Sequence, residues 1–379
     1  MNDSVVVCFK DVIMNKLKLL FTALLLLCVI PAAAKDDADK LFEKRTVKLL
    51  CFGNSFSMDV LCYVPFVMKN IAPDVDLTVA IAYNGGSSLV QHMANFSNSD
   101  VVQNGVTYSP KKYKLYKCTN AKPWTLLGSY DANEALSNDD WDIVTFQNAT
   151  GTVRKSYEIY YEPFINNLCD SVVNRLGDDI KLGWFSIHSS SYFTYDELVN
   201  FWADIVLNTK RLLDNTPVTV HFPYGTALQN LRTVRKYDNM GVSGFLMADT
   251  GHLQEGIGCL CAAYANCLVL LKEIGMTDVT VIGDTTRIDE EFLKYNQVQG
   301  QNIGDGIVGM DDESIYQAQL AATRAVENPF ELTDINEETT VGKVLVERLS
   351  NFFYSINGGI VEKPSKGIYI HNGKKVLVK

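Results

Sequence analysis

The sequence predicts a three-layer αβα sandwich with a five-stranded, mainly parallel central sheet and a short β tail at the C-terminus. Short apolar runs alternate with longer amphipathic stretches along most of the 379 residues. Within the short runs, polar and apolar positions do not alternate, which is typical of strands buried on both faces. Strands that alternate with helices form parallel sheets with helices on each side, so the fold class is α/β.

Each predicted element corresponds to one of these runs. The strands are expected at Val47–Phe52, Leu77–Ala82, Ile143–Phe146, Leu182–Ile187 and Val218–Phe222. The helices are expected at Val60–Ile71, Tyr157–Leu176, Tyr195–Leu213, Ala227–Tyr237, Ile257–Ile274 and Asp312–Val326. Two further segments are expected to be excursions outside the core: the polar stretch Ser97–Lys122 and the glycine-punctuated stretch Asp278–Gly309.

The N-terminus has the pattern of a signal peptide over residues 1–34. Lys16 and Lys18 precede the apolar run Leu19–Ile30, and small residues follow in Pro31–Ala34. A transmembrane helix needs about 20 apolar residues, so this run is too short to span a bilayer comfortably. We therefore expect an exported protein with no stable membrane span after signal cleavage.

Residues 331–379 are predicted to form a linker and a C-terminal β-hairpin tail. Asn372-Gly373 separates the strand-like runs Gly367–Ile370 and Lys375–Val378, which is a hairpin signal. The tail also resembles the C-terminal sorting signals of the type IX secretion system. That resemblance implies the type IX machinery as a partner and a periplasmic, cell-surface or secreted location in a Gram-negative bacterium. An ordinary terminal hairpin explains the same residues.

Charge and composition exclude several classes of partner. The formal net charge is −10 and no long basic run occurs, which argues against a nucleic-acid partner. Five scattered histidines show no metal-ligand spacing, so neither a metal nor another cofactor is expected.

The sequence has nine cysteines. Without Cys8 and Cys28 of the predicted signal region seven remain, and none of them forms a Cys-x-x-Cys pair. Cysteines in such apolar runs commonly serve as small buried hydrophobic residues.

A candidate nucleophile follows the first predicted strand in Gly53-Asn54-Ser55-Phe56. Ligands bind beyond the carboxyl ends of parallel strands, and a glycine there permits a tight turn that directs the next side chain outward. Ser55 is therefore placed as a nucleophile would be. The alternative is structural, because Ser55 or Ser57 could cap a helix that begins near Met58.

A candidate base and acid occur together in Asp249-Thr250-Gly251-His252, just before a long apolar helix. A serine hydroxyl needs a base such as histidine, and that histidine needs an acid to hold its tautomer. The spacing lets one loop supply both groups, although a structural Asp–His pair would look the same. His188, just past the fourth predicted strand, is the rival base and a candidate pocket residue.

Gly53-Asn54-Ser55 after the first strand, together with Asp249-x-x-His252 before the last long helix, resembles the SGNH/GDSL hydrolase superfamily, in a branch with a GNSF first block. The resemblance implies a flavodoxin-like sheet, a hydrolase domain over residues 35–330, a serine nucleophile and an Asp/His pair. It also implies oxyanion donors in two middle sequence blocks of the superfamily, the second and third, which follow the second and third strands. Gly85 or Gly86 is the expected donor of the second block, with Gly86 preferred, although turn chemistry alone also explains these residues.

The third block departs from the pattern of the superfamily. A Gly-x-Asn sequence is expected after the third strand, but the chain has Phe146-Gln147-Asn148-Ala149. Either Gln147 or Asn148 can therefore supply the side-chain amide. The function implied is that of an exported carboxylesterase or acetylesterase acting on small-molecule or glycan esters, acetylated glycans above all. The alternatives are a catalytically silent glycan-binding or cell-surface module, and a lipase or thioesterase.

Overall fold

The computed structural model describes residues 45–119, 122–190, 194–234, 246–249, 251–284 and 310–336, together with 353–355, 360–361, 366–371 and 374–378. The predicted signal peptide, most of the predicted excursion at 278–309 and most of the predicted linker lie outside these ranges. All described residues except Arg45 belong to one compact unit, Thr46–Lys379.

The central sheet has seven strands in the order β6-β5-β2-β1-β7-β8-β9. Its strands are β1 (Arg45–Gly53), β2 (Val75–Tyr83), β5 (Tyr113–Thr119), β6 (Lys122–Tyr130), β7 (Ile143–Phe146), β8 (Lys181–Phe185) and β9 (Val220–Phe222). The pairs β1–β7, β7–β8 and β8–β9 are parallel. The predicted α/β class is confirmed, and all five predicted strands are present.

The expectation of five strands is nevertheless wrong, because the sheet has two further strands. β5 lies within the predicted excursion at 97–122, and β6 begins at the last residue of that segment. β5 pairs antiparallel with β2, and β6 pairs antiparallel with β5. Tyr113 and Leu115 pack on one face of the sheet, whereas Tyr116 and Cys118 pack on the other. The abundant Lys, Asn and Ser conceal this strand pattern. Earlier in the same segment, β3 (Val101–Gln103) and β4 (Val106–Tyr108) form a separate hairpin.

Helices cover both faces of the sheet, as a three-layer sandwich requires. Their bounds are α1 Ser55–Leu61, α2 Val64–Ile71, α3 Leu89–Ser97, α4 Ala132–Leu136, α5 Thr150–Val153, α6 Tyr157–Tyr160, α7 Glu162–Leu176, α8 Tyr195–Asn215, α9 Tyr224–Val234, α10 Ile257–Glu273 and α11 Asp312–Glu327. Alternate residues of β1 enter the two cores: Leu49 and Cys51 pack on one face, Leu50 and Phe52 on the other.

Two segments predicted as single helices are each divided in two. Val60–Ile71 falls on α1 and α2, and Tyr157–Leu176 falls on α6 and α7. In both cases the second helix has proline in its first turn, Pro65 and Pro163 respectively. Proline lacks an N–H and its ring clashes with the preceding turn, so it begins a helix better than it continues one.

The described part of the tail forms a four-stranded sheet in the order β11-β10-β12-β13. These strands are β10 (Phe353–Ser355), β11 (Ile360–Val361), β12 (Gly367–His371) and β13 (Lys374–Val378). β12 and β13 pair antiparallel, as the predicted hairpin requires, while Asn372-Gly373 lies outside the described residues. No helix in the described ranges is both long enough and apolar enough to cross a membrane.

Candidate active site

The first strand delivers Ser55 to the start of α1. Asn54 is the N-cap of that helix, and its side-chain oxygen accepts from the Phe56 amide at 3.1 Å. Asparagine is among the best N-cap residues because its short side chain satisfies an amide that has no acceptor within the helix. The helix therefore begins at Ser55, and neither Ser55 nor Ser57 is its cap. Ser55 is partly exposed, while the other six residues of α1 are buried.

The side chain of Asn54 also joins three loops at the carboxyl end of the sheet. Its Nδ2 donates to the Ser87 carbonyl at 3.0 Å, and its Oδ1 accepts from Gln147 Nε2 at 2.7 Å. The loop after β2 is tied to the same place because the Asn84 amide donates to the Gly53 carbonyl at 2.9 Å. The loops that follow β1, β2 and β7 are thus held together around Ser55.

A continuous chain of hydrogen bonds links Ser55 to a histidine and an aspartate. Ser55 Oγ lies 2.8 Å from His252 Nε2, and His252 Nδ1 lies 2.7 Å from Asp249 Oδ2. Ser55 and His252 are 197 positions apart in sequence. The structure therefore brings together all three residues that the sequence predicts as the catalytic set, with spacings that suit transfer of a proton from serine to histidine.

Asp249 is oriented by the backbone of its own loop. Its Oδ1 accepts from the amides of Gly251 and His252, both at 2.7 Å. Partial burial opposes ionisation of this carboxyl, but the two amide hydrogen bonds and His252 together lower its pKa below the ordinary value. Asp249 thus carries a negative charge next to Nδ1 of His252. The side chains of His252 and Asp249 are 41% and 53% exposed, so the site is open to solvent.

The loop that carries this pair has a hydrogen bond between its two ends and further hydrogen bonds to two neighbouring parts of the fold. The Ala248 amide donates to the His252 carbonyl at 2.9 Å. On one side, Asp59 Oδ2 of α1 accepts from the Leu253 amide at 3.1 Å. On the other, His188 Nε2 contacts the Gly251 carbonyl at 2.6 Å. These contacts determine where the His252 ring lies relative to Ser55.

His188, the rival base, has a different environment from His252. Its side chain is fully buried, and burial lowers its pKa to about 3. Because a carbonyl oxygen can only accept, Nε2 must carry the proton of the neutral ring and donate to Gly251. Phe56 packs between the two histidines, with ring centroids 5.2 Å from His188 and 5.6 Å from His252. His188 therefore supports the loop and does not contact Ser55 through a described hydrogen bond.

Two other histidines, His92 and His221, have hydrogen-bond contacts in other parts of the fold. His92 in α3 is buried and its Nδ1 contacts the Tyr113 hydroxyl at 2.9 Å. His221 in β9 contacts the Ser186 hydroxyl at 2.7 Å. His371 is the last residue of β12. The contacts of His92 and His221 are structural.

The expected oxyanion residues have unequal surroundings. Gly86 lies in the exposed turn after β2, with φ of +67°, a conformation that favours glycine. Gln147 is buried against the loop of Ser55: its Oε1 accepts from Ser57 Oγ at 2.8 Å while its Nε2 faces Asn54. Asn148 is also buried, but its Oδ1 accepts from the Ala149 amide and from Thr152 Oγ1 of α5. Gln147 thus contacts the residues beside Ser55, and Asn148 faces the next helix.

Among the described residues, no group of three or more His, Cys, Asp or Glu side chains could hold a metal ion. The seven cysteines of the described chain are buried and do not form disulfide bonds: Cys51, Cys62, Cys118, Cys169, Cys259, Cys261 and Cys267. Burial raises the pKa of the Cys51 thiol to about 11. That thiol is therefore protonated at neutral pH and acts as a small buried group that donates to Ser57 Oγ at 3.2 Å.

Three residues of this site have roles that sequence reasoning missed. Asn54 belongs to the predicted motif but has no predicted role of its own, Ser57 is predicted only as a possible helix cap, and Asp59 belongs to no predicted motif. The preference of asparagine for N-caps is a usable signal for the first. The spacing of four residues between Ser55 and Asp59, which places both on one helix face, is a signal for the third.

The described fold is similar to several solved structures, whereas no curated protein matches the chain. A DUF4886 family protein from Bacteroides uniformis ATCC 8492 is 23% identical, with a TM-score of 0.61 over 77% of this chain and 99% of that chain. A catalytic mutant of the acetylxylan esterase Axe2 from Geobacillus stearothermophilus is 11% identical, with a TM-score of 0.37 over 61% of this chain and 96% of that chain. A gut microbial diltiazem-metabolizing enzyme is 10% identical, with a TM-score of 0.34 over 61% of this chain and 47% of that chain. Residues 48–275 match the family model described as a domain of unknown function, DUF4886, and the chain belongs to that family.

Proposed function

We propose that this protein is an exported serine esterase of the SGNH type, with Ser55 as nucleophile, His252 as base and Asp249 as orienting acid. The observation that carries the proposal is the hydrogen-bond chain from Ser55 Oγ through His252 to Asp249 Oδ2, with spacings of 2.8 and 2.7 Å. The alignment of Ser55, His252 and Asp249 is not needed to hold either loop in its conformation. The cap of α1 holds the loop of Ser55, and backbone hydrogen bonds hold the loop of Asp249.

The reaction begins when Ser55 Oγ attacks the ester carbonyl carbon. His252 Nε2 takes the serine proton, and Asp249 stabilises the imidazolium and holds Nδ1–H. The tetrahedral intermediate collapses to an acyl-serine, and the same imidazolium returns its proton to the departing alcohol. A water molecule, deprotonated by His252, then attacks the acyl-serine, and His252 returns that proton to Ser55 Oγ as the acid is released.

The negative charge on the intermediate needs donors near Ser55. The Ser55 amide is one of the first N–H groups of α1, which have no acceptor within the helix. Gly86 supplies a second backbone N–H from the turn after β2. For the side-chain donor we choose Gln147, because Asn54 and Ser57 hold its amide next to the loop of Ser55 and Nε2 gives only one of its two N–H groups to Asn54. Asn148 is the second candidate, because its oxygen is turned to α5 and its buried Nδ2 has no hydrogen-bond partner among the described residues.

The substrate proposed is an acetyl ester of a glycan. An open Asp249–His252 pair suits an ester that projects from a bulky molecule, since 41% of the His252 side chain and 53% of the Asp249 side chain are exposed. Delivery beyond the inner membrane through the signal peptide, and through the type IX machinery whose sorting signals the tail resembles, would bring the enzyme to such polymers.

The test combines covalent labelling with kinetics on the purified mature chain. A serine-directed phosphonate should label Ser55, and Ser55→Ala and His252→Ala should each lose nearly all hydrolysis of acetylated sugars and short acyl esters. Residues that act as one catalytic unit give losses that do not add, so the double variant should be no worse than either single variant. A folded wild type that binds sugars but is neither labelled nor active would support the silent module instead.

A further inference from the structure

Asp59 is a buried carboxyl group one helical turn beyond Ser55. Positions four apart lie on the same face of a helix, so both side chains project from one face of α1. Only 2% of Asp59 is exposed. Its Oδ2 accepts a hydrogen bond from the Leu253 amide at 3.1 Å, a contact that spans 194 positions of sequence.

Ser55 and Asp59 of α1 contact consecutive residues, His252 and Leu253. These belong to the loop that carries Asp249 and His252, the histidine loop. Ser55 Oγ lies 2.8 Å from His252 Nε2, and Asp59 Oδ2 receives the next amide along the chain. Without the Asp59 contact, the Ser55–His252 hydrogen bond would be the one described hydrogen bond between α1 and this loop. The second contact, deeper in the protein, sets the angle at which the imidazole approaches the hydroxyl.

The histidine loop behaves as one unit because its internal hydrogen bonds are short-range. Asp249 Oδ1 binds the amides of Gly251 and His252, and the Ala248 amide binds the His252 carbonyl. Such a unit keeps the Asp249–His252 pair intact when it moves. Its contacts with the rest of the protein therefore decide whether Nε2 reaches Ser55, and the contact with Asp59 is made from the nucleophile's own helix.

We propose that Asp59 is a positioning residue, which holds the loop of His252 in register with Ser55 through the Leu253 amide. The proposal rests on the esterase function given above, but it concerns a residue that touches neither substrate nor the reacting atoms. What Asp59 supplies is an acceptor oxygen at a fixed place. An asparagine supplies the same oxygen, whereas an alanine does not.

The experiment compares Asp59→Ala with Asp59→Asn on the full chain. Asp59→Ala should lower kcat about 100-fold, the loss that about 1 Å of misplacement causes, while KM stays within about threefold. Asp59→Asn should keep kcat within about fivefold of wild type because the acceptor oxygen remains. The rate of Ser55 labelling by the phosphonate should follow kcat in both variants.

Asp142 provides the matched control. Its Oδ2 also accepts from a backbone amide, that of Lys48, at 2.8 Å, but this contact lies away from the catalytic loops. Asp142→Ala and Asp142→Asn should leave kcat and the labelling rate unchanged. Circular dichroism and thermal unfolding confirm that each variant is folded before its kinetics are compared.

Amide hydrogen exchange gives a readout that does not need turnover. The Leu253 amide should be protected in wild type and Asp59→Asn, and should exchange faster in Asp59→Ala. If the wild type hydrolyses no ester, the proposed function fails, and the exchange of Leu253 still decides the role of Asp59.

Three results would overturn the positioning role. The first is an Asp59→Ala protein with wild-type kcat or unchanged Leu253 protection. The second is an Asp59→Asn protein as impaired as Asp59→Ala, which would mean that the charge matters and the acceptor oxygen does not. The third is failure of both Asp59→Ala and the smaller polar change Asp59→Ser to fold, which would make Asp59 a requirement for folding.

Discussion

At the scale of single residues, the site depends on amide side chains that bridge loops. Asn54 binds Ser87 and Gln147 and caps α1, so one side chain fixes the positions of three loops. Buried amides whose oxygen accepts and whose nitrogen donates hold a single orientation, because exchanging the two ends would leave a donor and an acceptor unsatisfied. This is why the orientation of Gln147 beside Ser55 is well determined.

The first prediction separates the two candidate oxyanion amides. Gln147→Ala should lower kcat about 100- to 1000-fold with little change in KM, because the donor acts on charge that develops only in the transition state. Asn148→Ala should have a smaller effect on kcat. Steady-state kinetics on a short acyl ester measure both. A larger loss for Asn148→Ala would move the donor role to Asn148.

At the scale of elements, the junction of β1 and α1 places the nucleophile. A Cβ atom on Gly53 would lie 1.8 Å from Ser57 Oγ and 2.9 Å from Ser57 Cβ. The strand can therefore approach the first turn of the helix only because residue 53 has no side chain. Ser57 in turn donates to Gln147, so this close approach connects the nucleophile loop with the third block.

Gly53→Ala should displace Ser57 and with it the alignment of Gln147 and Ser55. We expect a loss of about 1–3 kcal/mol in the free energy of unfolding, typical of overpacking, and a marked fall in kcat. Urea unfolding and esterase kinetics measure the two effects. Gly151→Ala is the control, since a Cβ at that position meets no atom within 4 Å. Equal behaviour of the two variants would count against the close approach.

At the scale of the whole molecule, buried neutral histidines make stability depend on pH. His92 and His188 are enclosed by the folded core, and burial lowers the pKa of each to about 3. Unfolded histidine has a pKa of about 6.5, so below that pH the unfolded chain binds more protons than the folded chain. The stabilisation is complete above a pH of about 6.5 and decreases as the pH falls toward the folded-state pKa values.

His92→Gln tests this linkage away from the candidate site. Glutamine can still hydrogen-bond the Tyr113 hydroxyl but does not titrate. Between about pH 6 and pH 4, the free energy of unfolding of the variant should fall less steeply than that of wild type, by about 1.4 kcal/mol per pH unit. Urea titrations at several pH values give the slopes. Parallel slopes would show that His92 takes up its proton equally in both states.

The tail carries the last prediction. None of the site residues lies beyond Ser350, so a chain ending before that residue should retain the esterase activity of the purified protein. In its host the same deletion should hold the protein in the periplasm if the tail is a sorting signal. Cell fractionation and an esterase assay test the two statements separately. Surface delivery without the tail would exclude the sorting role, and loss of activity would assign the tail to the catalytic domain.

The sequence by itself determined the fold class, the five strands of the predicted sheet and the residues that meet at Ser55. These follow from local information: short apolar runs typical of buried strands, a motif at the end of the first strand, and a motif just before a long apolar helix. The division of two predicted helices at Pro65 and Pro163 also follows from a local rule, the preference of proline for the first turn, which the predicted helix bounds did not apply.

Only the tertiary structure decided that the sheet extends to β5 and β6, that Asn54 joins three loops, and that Gln147 rather than Asn148 faces the residues beside Ser55. Each of these depends on a partner distant in sequence: β2 for β5, Ser87 and Gln147 for Asn54, and Ser57 for Gln147. A polar side chain has the same local pattern whether it faces solvent or a buried partner. Its role is set by the hydrogen bond that burial makes obligatory, and that bond exists only once the chain has folded.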